Sequence, residues 1–315
     1  MQSNITPVVN FIIPVYNAEK YILRSVNSAL KQNHIIPKVI VVNHGSIDQT
    51  EQIIVNNFKD DAGVKLINLS RQLNERSSAT RPLNCGCSSI TCDTKEDSHC
   101  WVMRLDADDF LATNNIIIDV ITKGNCQKMI SGMLTFFEED NCNSYIYGPK
   151  KKYRNKIGML KKGAYAGAHH ATLIRYDFLK TLENFPSIYD EQITYGEDLD
   201  LTLRLFNIIN HSEHIFLDDS ILFKSLNTSS LTSNTKKIRI WNDLKYVFSK
   251  NKSLSKILLI RLAFDLLLRD NNKFIRLRKL LGYPGHHVGE ILPMPTSDVI
   301  SRLEDLNQQT VENGY

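Results

Sequence analysis

A group of three carboxylates within four positions has residue types and a spacing that suggest chemistry. Asp106, Asp108 and Asp109 directly follow a short, mostly apolar run over 101–105. If that run is a buried strand, the acidic oxygens lie at its carboxyl end, where open α/β sheets bind ligands. Carboxylates this close repel one another unless they are solvated or surround a divalent cation. The cluster is therefore either an acidic turn that caps the next helix or a metal site.

A second acidic focus, Glu197 and Asp198, follows about ninety residues later. Leu199, Leu203 and Phe206 recur on one face of a predicted helix, and this places both carboxylates in its first turn. The helix dipole favours negative charge there, so the two residues could serve only as a cap. Alternatively, one carboxylate acts as a general base toward a substrate hydroxyl.

Histidine and arginine side chains supply further candidates. His169 and His170 end a stretch of small residues over 163–168. Flexible loops of this kind often move over ligands, although a histidine pair can also be a surface feature without function. Arg71 and Arg76 suit phosphate or base contact through their planar fork, but they are better interpreted as a solvated basic face.

Strands and helices alternate along the first seventy residues, and these elements must position the candidates. Pro14 is expected to end the first strand, and Asn17 to cap the helix that follows. The alternation implies a parallel sheet with right-handed crossovers. Loops after the first two strands then share one edge of the sheet, which is a natural mononucleotide crevice. The predicted strands span 8–13, 38–42 and 64–69, and the predicted helices span about 18–32 and 48–58.

The rest of the chain continues the α/β pattern with a hairpin inserted. A helix from about Ser77 is expected to be short or kinked because of Pro82. The stretch 136–152 is typical of a hairpin in an antiparallel extension. Further strands are predicted over 128–134, 171–175, 215–217 and 220–224, and a further helix over 114–123.

The composition fits a globular protein with one large domain and an appendage. The chain has 315 residues, a net charge of +4 and 42% hydrophobic residues. No signal peptide is predicted, and the most apolar stretch, 257–268, is shorter than the roughly 20 residues that span a bilayer. A cytoplasmic location is expected, with the inner face of the plasma membrane as the alternative, and no nucleic-acid partner is predicted.

The segment from Lys236 to Lys279 is strongly basic, with thirteen lysines and arginines against three aspartates. Apolar and aromatic residues are interleaved, which indicates basic amphipathic helices. Such helices could lie on an anionic membrane, dock on the main domain or pair with another subunit as a homo-oligomer.

Six cysteines are present, and Cys85, Cys87, Cys92 and Cys100 crowd together near His99. Without an export signal, a disulfide framework is not expected. The spacing does not match paired zinc knuckles, so free thiols are predicted.

Taken together, three sequence features resemble the family 2 glycosyltransferases with the GT-A fold. The features are the segment 13–17 after the first strand, the segment 106–109 and the segment 196–198. The resemblance covers roughly residues 8–235. It implies an α/β GT-A fold with a mostly parallel central sheet flanked by helices. The implied boundaries are a glycosyltransferase domain over 1–235, with a nucleotide-binding half (1–110) and an acceptor-side half (111–235), and a basic, mainly helical extension over 236–315.

The resemblance also implies roles for individual residues. Asp106 and Asp108 match the family's Asp-x-Asp, so Asp108 would bind Mn²⁺ or Mg²⁺ while Asp106 would lie near the ribose or the metal. Asp198 matches the catalytic base. Arg81, with Asn84 and Gly86, matches a nucleotide-binding region in which two residues are inserted here. The residues implied to contact the nucleotide sugar are Pro14, Val15, Tyr16, His44, Arg81 and Asp106, and those implied to contact the acceptor or diphosphate are Glu197, His169, His170 and Lys224, with the 229–233 loop.

One departure from the family pattern concerns the nucleotide base. The family usually has an aspartate at the position of His44, and that aspartate accepts a hydrogen bond from uracil. A neutral histidine can still accept one, through a single ring nitrogen. UDP remains the predicted nucleotide.

The implied reaction is transfer of a hexose or N-acetylhexosamine from a nucleotide-diphosphate sugar, with metal dependence and inversion. The acceptor would be a sugar hydroxyl of a growing surface polysaccharide, such as capsule or lipopolysaccharide, or of a lipid-linked oligosaccharide. A nucleotidyltransferase would be expected to carry a glycine-rich, lysine-containing phosphate loop, which is missing from 10–20. The third alternative is a non-catalytic protein that binds sugar nucleotides or glycans.

Overall fold

The computed structural model shows a mixed sheet flanked by helices, and it describes residues 5–71, 78–92, 97–124, 127–138, 143–154, 169–226, 237–251 and 289–312. The strands are β1 (Val8–Val15), β2 (Ile36–His44), β3 (Val64–Leu69), β4 (Cys100–Arg104), β5 (Phe110–Leu111), β6 (Met129–Glu138), β7 (Asn143–Pro149), β8 (Thr172–Arg175), β9 (His214–Ser225) and β10 (Gly289–Pro293). The helices are α1 (Ile22–Leu30), α2 (Thr50–Phe58), α3 (Thr80–Ser88), α4 (Ile116–Gly124), α5 (Tyr176–Leu179), α6 (Glu197–Ile208), α7 (Lys237–Lys250) and α8 (Thr296–Glu312).

The N-terminal half of the sheet is parallel, as the sequence predicted. The strand order is β10-β7-β6-β8-β4-β1-β2-β3, and β4, β1, β2 and β3 all run the same way. β8 is antiparallel to both β4 and β6, and β6 and β7 form the predicted antiparallel hairpin. β9 lies parallel to β6 and also pairs with β5. The carboxyl ends of β1, β2 and β4 therefore meet at one edge of the sheet.

Alternating residues of the central strands build a core on each face of the sheet. Phe11 and Ile13 of β1 are fully buried with α1, α2 and α4 on one face, whereas Ile12 is buried on the other face with α3, α6 and α7. This alternation follows from the two-residue repeat of a strand. Because both faces are covered, β1, β2 and β4 consist of nearly continuous apolar runs, whereas β3, at the edge of the sheet, alternates half-buried and exposed residues.

Three local predictions were wrong. β1 continues through Pro14 to Val15 because β4 pairs with β1 only as far as Ile12, so the missing N–H of Pro14 costs no bond on that side. Asn17 does not cap α1. It lies outside the helix with φ +50°, and its side-chain oxygen accepts a hydrogen bond from Ile47 N at 2.9 Å. The two predicted closing strands are one strand, β9, whose pairing with β6 shifts register on both sides of Met133.

The described cysteines also correct a prediction. Cys92 and Cys100 form a disulfide with their Cα atoms 6.7 Å apart, while Cys85 and Cys87 are free. Cys92 lies four residues after the end of α3, and Cys100 begins β4 directly after a 3₁₀ turn at 97–99. Cys126 and Cys142 lie outside the described residues.

The described parts of the C-terminal segment dock on the sheet domain. β10 pairs antiparallel with β7. α8 places Val299 and Leu306 against an aromatic cluster that includes Phe110, and the Arg302 guanidinium donates to the Leu111 carbonyl at 3.2 Å. Of the basic segment 236–279, the structure describes 237–251, and Ile240, Leu244 and Val247 of this part dock in the core of the sheet domain. Residues 252–279, on which the membrane and subunit alternatives also depend, lie outside the described residues. No helix in the described ranges is both long enough and apolar enough to cross a membrane.

Gly86 allows α3 to pack closely against β1. A Cβ atom at this position would lie 2.4 Å from Ile12 Cγ2. We expect Gly86→Ala to lower the free energy of unfolding by about 1–3 kcal/mol, because overpacking forces neighbouring atoms to move. Ser88→Ala, at an exposed position of the same helix, should change it by less than about 0.5 kcal/mol. Urea unfolding of the two variants and the wild type measures the difference, and equal stability of all three would contradict the packing argument.

Candidate active site

The first acidic cluster lies in a tight turn at the carboxyl end of β4. The Asp109 amide donates to the Asp106 carbonyl at 3.0 Å and closes the turn. Helix α1 fixes the backbone of this turn, since Ser25 Oγ donates to the Asp106 carbonyl at 3.1 Å and Arg24 Nη2 to the Asp108 carbonyl at 2.9 Å. The acidic side chains are thus presented by a rigid backbone.

Arg104 joins the two acidic foci. Its guanidinium donates to Asp106 Oδ1 at 2.7 Å and to Glu197 Oε1 at 3.0 Å. Burial lowers the pKa of Arg104, but the two carboxylates raise that pKa by more. Burial raises the pKa of Glu197. The charge of Arg104 opposes this effect, and the neighbouring Asp198 adds to it. Arg104 was missed from the sequence, although positions 104 and 106 share one face of an extended chain.

Lys224, at the end of β9, contacts the same acidic turn from the other side. Its ammonium group donates to Asp106 Oδ2 at 3.2 Å and to Asp109 Oδ2 at 3.0 Å. Burial alone would raise the pKa of Asp106, but Arg104 and then Lys224 hold it well below its usual value. Burial, opposed by Lys224 and assisted by Asp108 and Asp106, raises the pKa of Asp109 to about 7. Asp109 also accepts the Ser225 amide at 3.1 Å, so it anchors the turn to β9.

His170 lies between the two acidic foci. Its Nδ1 is 3.6 Å from Asp106 Oδ2, and its Nε2 is 3.8 Å from Asp198 Oδ2. Burial and then the charge of Lys224 lower its pKa well below the usual value, so the ring is neutral at pH 7. His169 points elsewhere, because its Nε2 is 2.9 Å from the Tyr189 hydroxyl, and burial lowers its pKa to about 4. The structure therefore separates the two histidines, and only His170 contacts the acidic residues.

Asp198 is the more available carboxylate of the Glu197–Asp198 pair. Its side chain is 35% exposed, against 13% for Glu197, which is paired with Arg104. Asp198 Oδ1 accepts the Leu199 amide at 2.7 Å, which fixes the carboxylate at the start of α6. Within the described ranges, Asp198 forms no ion pair with lysine or arginine.

The predicted nucleotide contacts lie at the carboxyl ends of β1 and β2. Val15 and His44 are buried, and Pro14 lies between Ile13 and Val15 in β1. Tyr16 is 44% exposed, and the Arg71 guanidinium lies 4.4 Å from its ring centroid. Arg71 was interpreted as part of a solvated face, but this stacking brings it to the same sheet edge.

Arg81 and Asn84 do not act together. Arg81 donates to the Ser70 carbonyl at 3.2 Å. Asn84 is buried and exchanges hydrogen bonds with the Tyr189 backbone at 2.9 and 2.8 Å, so it holds the 189–191 loop against α3. Among the described residues, the Asn84 side chain bonds only within the fold, to the 189–191 loop. Arg76, the 163–168 stretch and the 229–233 loop lie outside the described residues.

The carboxylate oxygens of the acidic turn fit a metal site in which substrate atoms supply the remaining ligands. The described residues contain no cluster of three or more histidine, cysteine, aspartate or glutamate side chains that could hold a metal by themselves. Both oxygens of Asp106 are engaged by Arg104 and Lys224. Mg²⁺ is commonly held by one or two carboxylates together with substrate phosphates. The hard oxygen atoms of Asp108 fit such a shared site.

Comparison with known proteins identifies relatives in sequence. The profile described as "Glycosyl transferase family 2" matches residues 10–182. The chain is 27% identical over 285 residues to an uncharacterized glycosyltransferase of Rickettsia prowazekii, which covers 88% of this chain and 82% of that protein. It is 25% identical over 236 residues to the uncharacterized glycosyltransferase EpsJ of Bacillus subtilis, which covers 72% and 63% of the two chains.

Two solved structures share the fold. The first is Staphylococcus aureus TarS 1–349 in complex with UDP-GlcNAc, with a TM-score of 0.59 and 16% identity over 95% of this chain and 80% of that one. The second is the mannosyltransferase PcManGT from Pyrobaculum calidifontis in complex with GDP-Man and Mn²⁺, with a TM-score of 0.56 and 14% identity over 96% and 81%.

Proposed function

The chain belongs to glycosyl transferase family 2 and has the GT-A fold, and on that premise we propose that it transfers a hexose or N-acetylhexosamine from a UDP-sugar to a sugar hydroxyl with inversion. The observation that carries the proposal is the meeting of the two acidic foci. Arg104, Lys224 and His170 bring Asp106 and the Glu197–Asp198 pair to one sheet edge beside the ends of β1 and β2.

Asp198 is the proposed general base. It combines exposure with a fixed carboxylate at a helix start, whereas Glu197 is held by Arg104. The carboxylate accepts the proton of the acceptor hydroxyl as that oxygen attacks the anomeric carbon. The C–O bond to the diphosphate breaks on the opposite face, so a single displacement inverts the anomeric centre. No residue of the chain is required as a nucleophile.

Lys224 and Asp108 are proposed to act on the leaving-group side. The Lys224 ammonium group, whose pKa is raised by Asp109, Asp106 and Asp108 against the effect of burial, keeps its positive charge at neutral pH. That charge lies beside the acidic turn where a diphosphate would bind. Mn²⁺ or Mg²⁺ held by Asp108 would neutralise the charge that develops on the leaving diphosphate. Asp106, already engaged by two cations, is assigned to the nucleotide side.

The acceptor is proposed to be a growing polysaccharide or a lipid-linked glycan. The basic composition of 236–279 supports an anionic glycan or a membrane face nearby, since clustered lysines and arginines attract anionic surfaces.

Nucleotide binding tests the donor side directly. We expect UDP with Mn²⁺ to raise the melting temperature more than UDP alone, and more than GDP, CDP or dTDP under the same conditions. A ligand that binds only the folded state stabilises it by about 2.7 kcal/mol at a hundred times its dissociation constant, which such a scan detects. Asp108→Asn should remove the Mn²⁺ dependence, whereas Asp60→Asn, at an exposed position, should retain it.

The outcomes separate the parts of the proposal. A larger shift with GDP would replace UDP as the donor nucleotide and show that His44 does not select uracil. A shift with UDP that is equal with and without Mn²⁺ would contradict the metal assignment. The absence of a shift with all four nucleotides would contradict the proposed donor site. Incubation with UDP-GlcNAc, UDP-Glc and GDP-Man, followed by measurement of nucleotide release, identifies the sugar.

A further inference from the structure

A buried carboxylate on α7 binds the loop that leads into α6. Asp243 is 7% exposed, and its Oδ2 accepts three hydrogen bonds: from the Thr194 amide at 3.0 Å, the Thr194 hydroxyl at 2.6 Å and the Tyr195 amide at 3.0 Å. Hydrogen bonds to a charged acceptor are stronger than those between neutral groups. The two residues that this carboxylate fixes lie directly before Gly196, Glu197 and Asp198.

The backbone enters α6 through a sharp turn. Gly196 has φ +83°, a conformation that favours glycine, and its carbonyl accepts the Asp200 amide at 2.9 Å as the helix begins. Leu244 of α7 and Leu199 of α6 are buried in the same core cluster, so α7 packs against the start of α6. The direction of the Asp198 side chain therefore depends on how the 194–196 loop is held.

The packing of α7 against the core does not require a carboxylate at position 243. Ile240, Leu244 and Val247 recur at helical spacing and are buried with Leu199 in the core on this face of the sheet. An apolar residue at position 243 would extend that packing. Asp243 is instead a charged group in a mostly apolar interface, and its described side-chain bonds go to the loop before α6.

The other end of α7 holds a different part of the same region. Lys250 pairs with Asp190 and lies 3.4 Å from Asp200 Oδ1, the Tyr246 hydroxyl donates to Asp190 at 3.2 Å, and Asn251 donates to Asp200 at 3.4 Å. These contacts tie α7 to α6 without touching Thr194 or Tyr195. Lys250 therefore provides a control residue that lies on α7, as Asp243 does, but does not contact the 194–196 loop.

We propose that Asp243 is a positioning residue that holds the 194–196 loop so that Asp198 faces the acceptor hydroxyl, an inference that rests on the proposed role of Asp198 as the base. Asp243 does not touch substrate in this arrangement. Its effect is transmitted through two backbone amides and one hydroxyl to the first turn of α6. Asp243 lies on α7, so a helix from the segment after 235 helps to position the proposed base.

Kinetics distinguish positioning from a purely structural role. We expect Asp243→Asn to lower kcat at least tenfold, with the KM for the UDP-sugar and the dissociation constant for UDP within twofold of wild type. Thr194→Val, which removes only the hydroxyl donor, should lower kcat by a smaller factor, and Thr194→Ser should restore it to within twofold of wild type. Lys250→Met should keep kcat within threefold. If Asp243→Asn does not fold, the Thr194 pair still decides the question, because Thr194→Val with wild-type kcat overturns the proposal.

Amide hydrogen exchange provides a readout that does not need the reaction. The Thr194 and Tyr195 amides should exchange at least tenfold faster in Asp243→Asn than in wild type, and at the wild-type rate in Lys250→Met. Unchanged exchange in Asp243→Asn overturns the proposal, and so does faster exchange with wild-type kcat. A wild-type protein that turns over no nucleotide sugar refutes the proposed function instead, and the exchange rates still show whether Asp243 holds the loop.

Discussion

Replacement of Asp198 by asparagine is expected to lower kcat for sugar transfer by about 10²- to 10⁴-fold, the range that a general base contributes. The amide keeps the shape of the side chain and can still accept the Leu199 hydrogen bond, but it cannot take the proton of the acceptor hydroxyl. UDP binding in the presence of Mn²⁺ should stay within twofold of wild type, because Asp198 contacts His170 rather than the nucleotide side. Transfer is measured as release of UDP that depends on acceptor.

Asp119→Asn is the matched control for this variant. Asp119 is an exposed carboxylate in the first turn of α4, so its replacement causes a comparable loss of charge at a helix N-terminus away from the site. Transfer by Asp198→Asn at more than a third of the wild-type rate would rule out Asp198 as the base.

Replacement of Arg104 by methionine is expected to lower the free energy of unfolding at pH 7 by about 3–5 kcal/mol, because removing one partner leaves uncompensated buried charge. The Arg104 side chain is 8% exposed, and Asp106 and Glu197 are 19% and 13% exposed. Urea unfolding measures the loss. Arg175→Met is the control, because that arginine pairs with the more exposed Asp177, and about 1 kcal/mol or less is expected there.

The same variant has a predicted pH dependence. The pKa of Glu197 is already raised in the folded protein, and loss of the Arg104 charge raises it further. A carboxyl group whose folded pKa exceeds its unfolded value gives its full stability below the unfolded pKa and loses it as pH rises toward the folded pKa. Because the unfolded-state pKa is the same in both proteins, the stability difference between wild type and Arg104→Met should grow as pH rises through the folded pKa of Glu197 in wild type, which lies above that of free glutamate. The double variant Arg104→Met, Glu197→Gln should recover part of the loss at pH 7, and an equal deficit at pH 5 and pH 7 would contradict this account.

Features encoded locally could be predicted from the sequence. The three N-terminal parallel strands, their helices and the 136–152 hairpin follow from periodicity and turn residues within short windows. The two acidic foci were identified because each interrupts an apolar pattern. Pro14 shows where local rules failed: its effect depends on where the neighbouring strand ends, which the sequence around Pro14 does not encode.

Contacts between distant segments could not be predicted. Arg104 and Glu197 are 93 positions apart, and Lys224 and Asp106 are 118 apart. Nothing in either local sequence specifies the partner, because the pairing results from the order of strands in the sheet. The contact of His170 with both foci and the bonds of Asp243 depend on the same long-range arrangement.

The return of the C-terminus to the N-terminal half has a consequence for synthesis of the chain. Arg302 bonds to the Leu111 carbonyl 191 positions earlier, and Val299 and Leu306 cover Phe110 directly after the acidic turn. On the ribosome, Phe110 therefore remains without this cover until residues 299–306 have emerged. Contacts of such long sequence separation are closed late because the entropy of loop closure must be overcome first. The aromatic surface behind the acidic turn, together with the unpaired edge of β7, thus stays exposed until residues 289–306 are made, and a nascent chain stopped before residue 289 retains both features that promote aggregation.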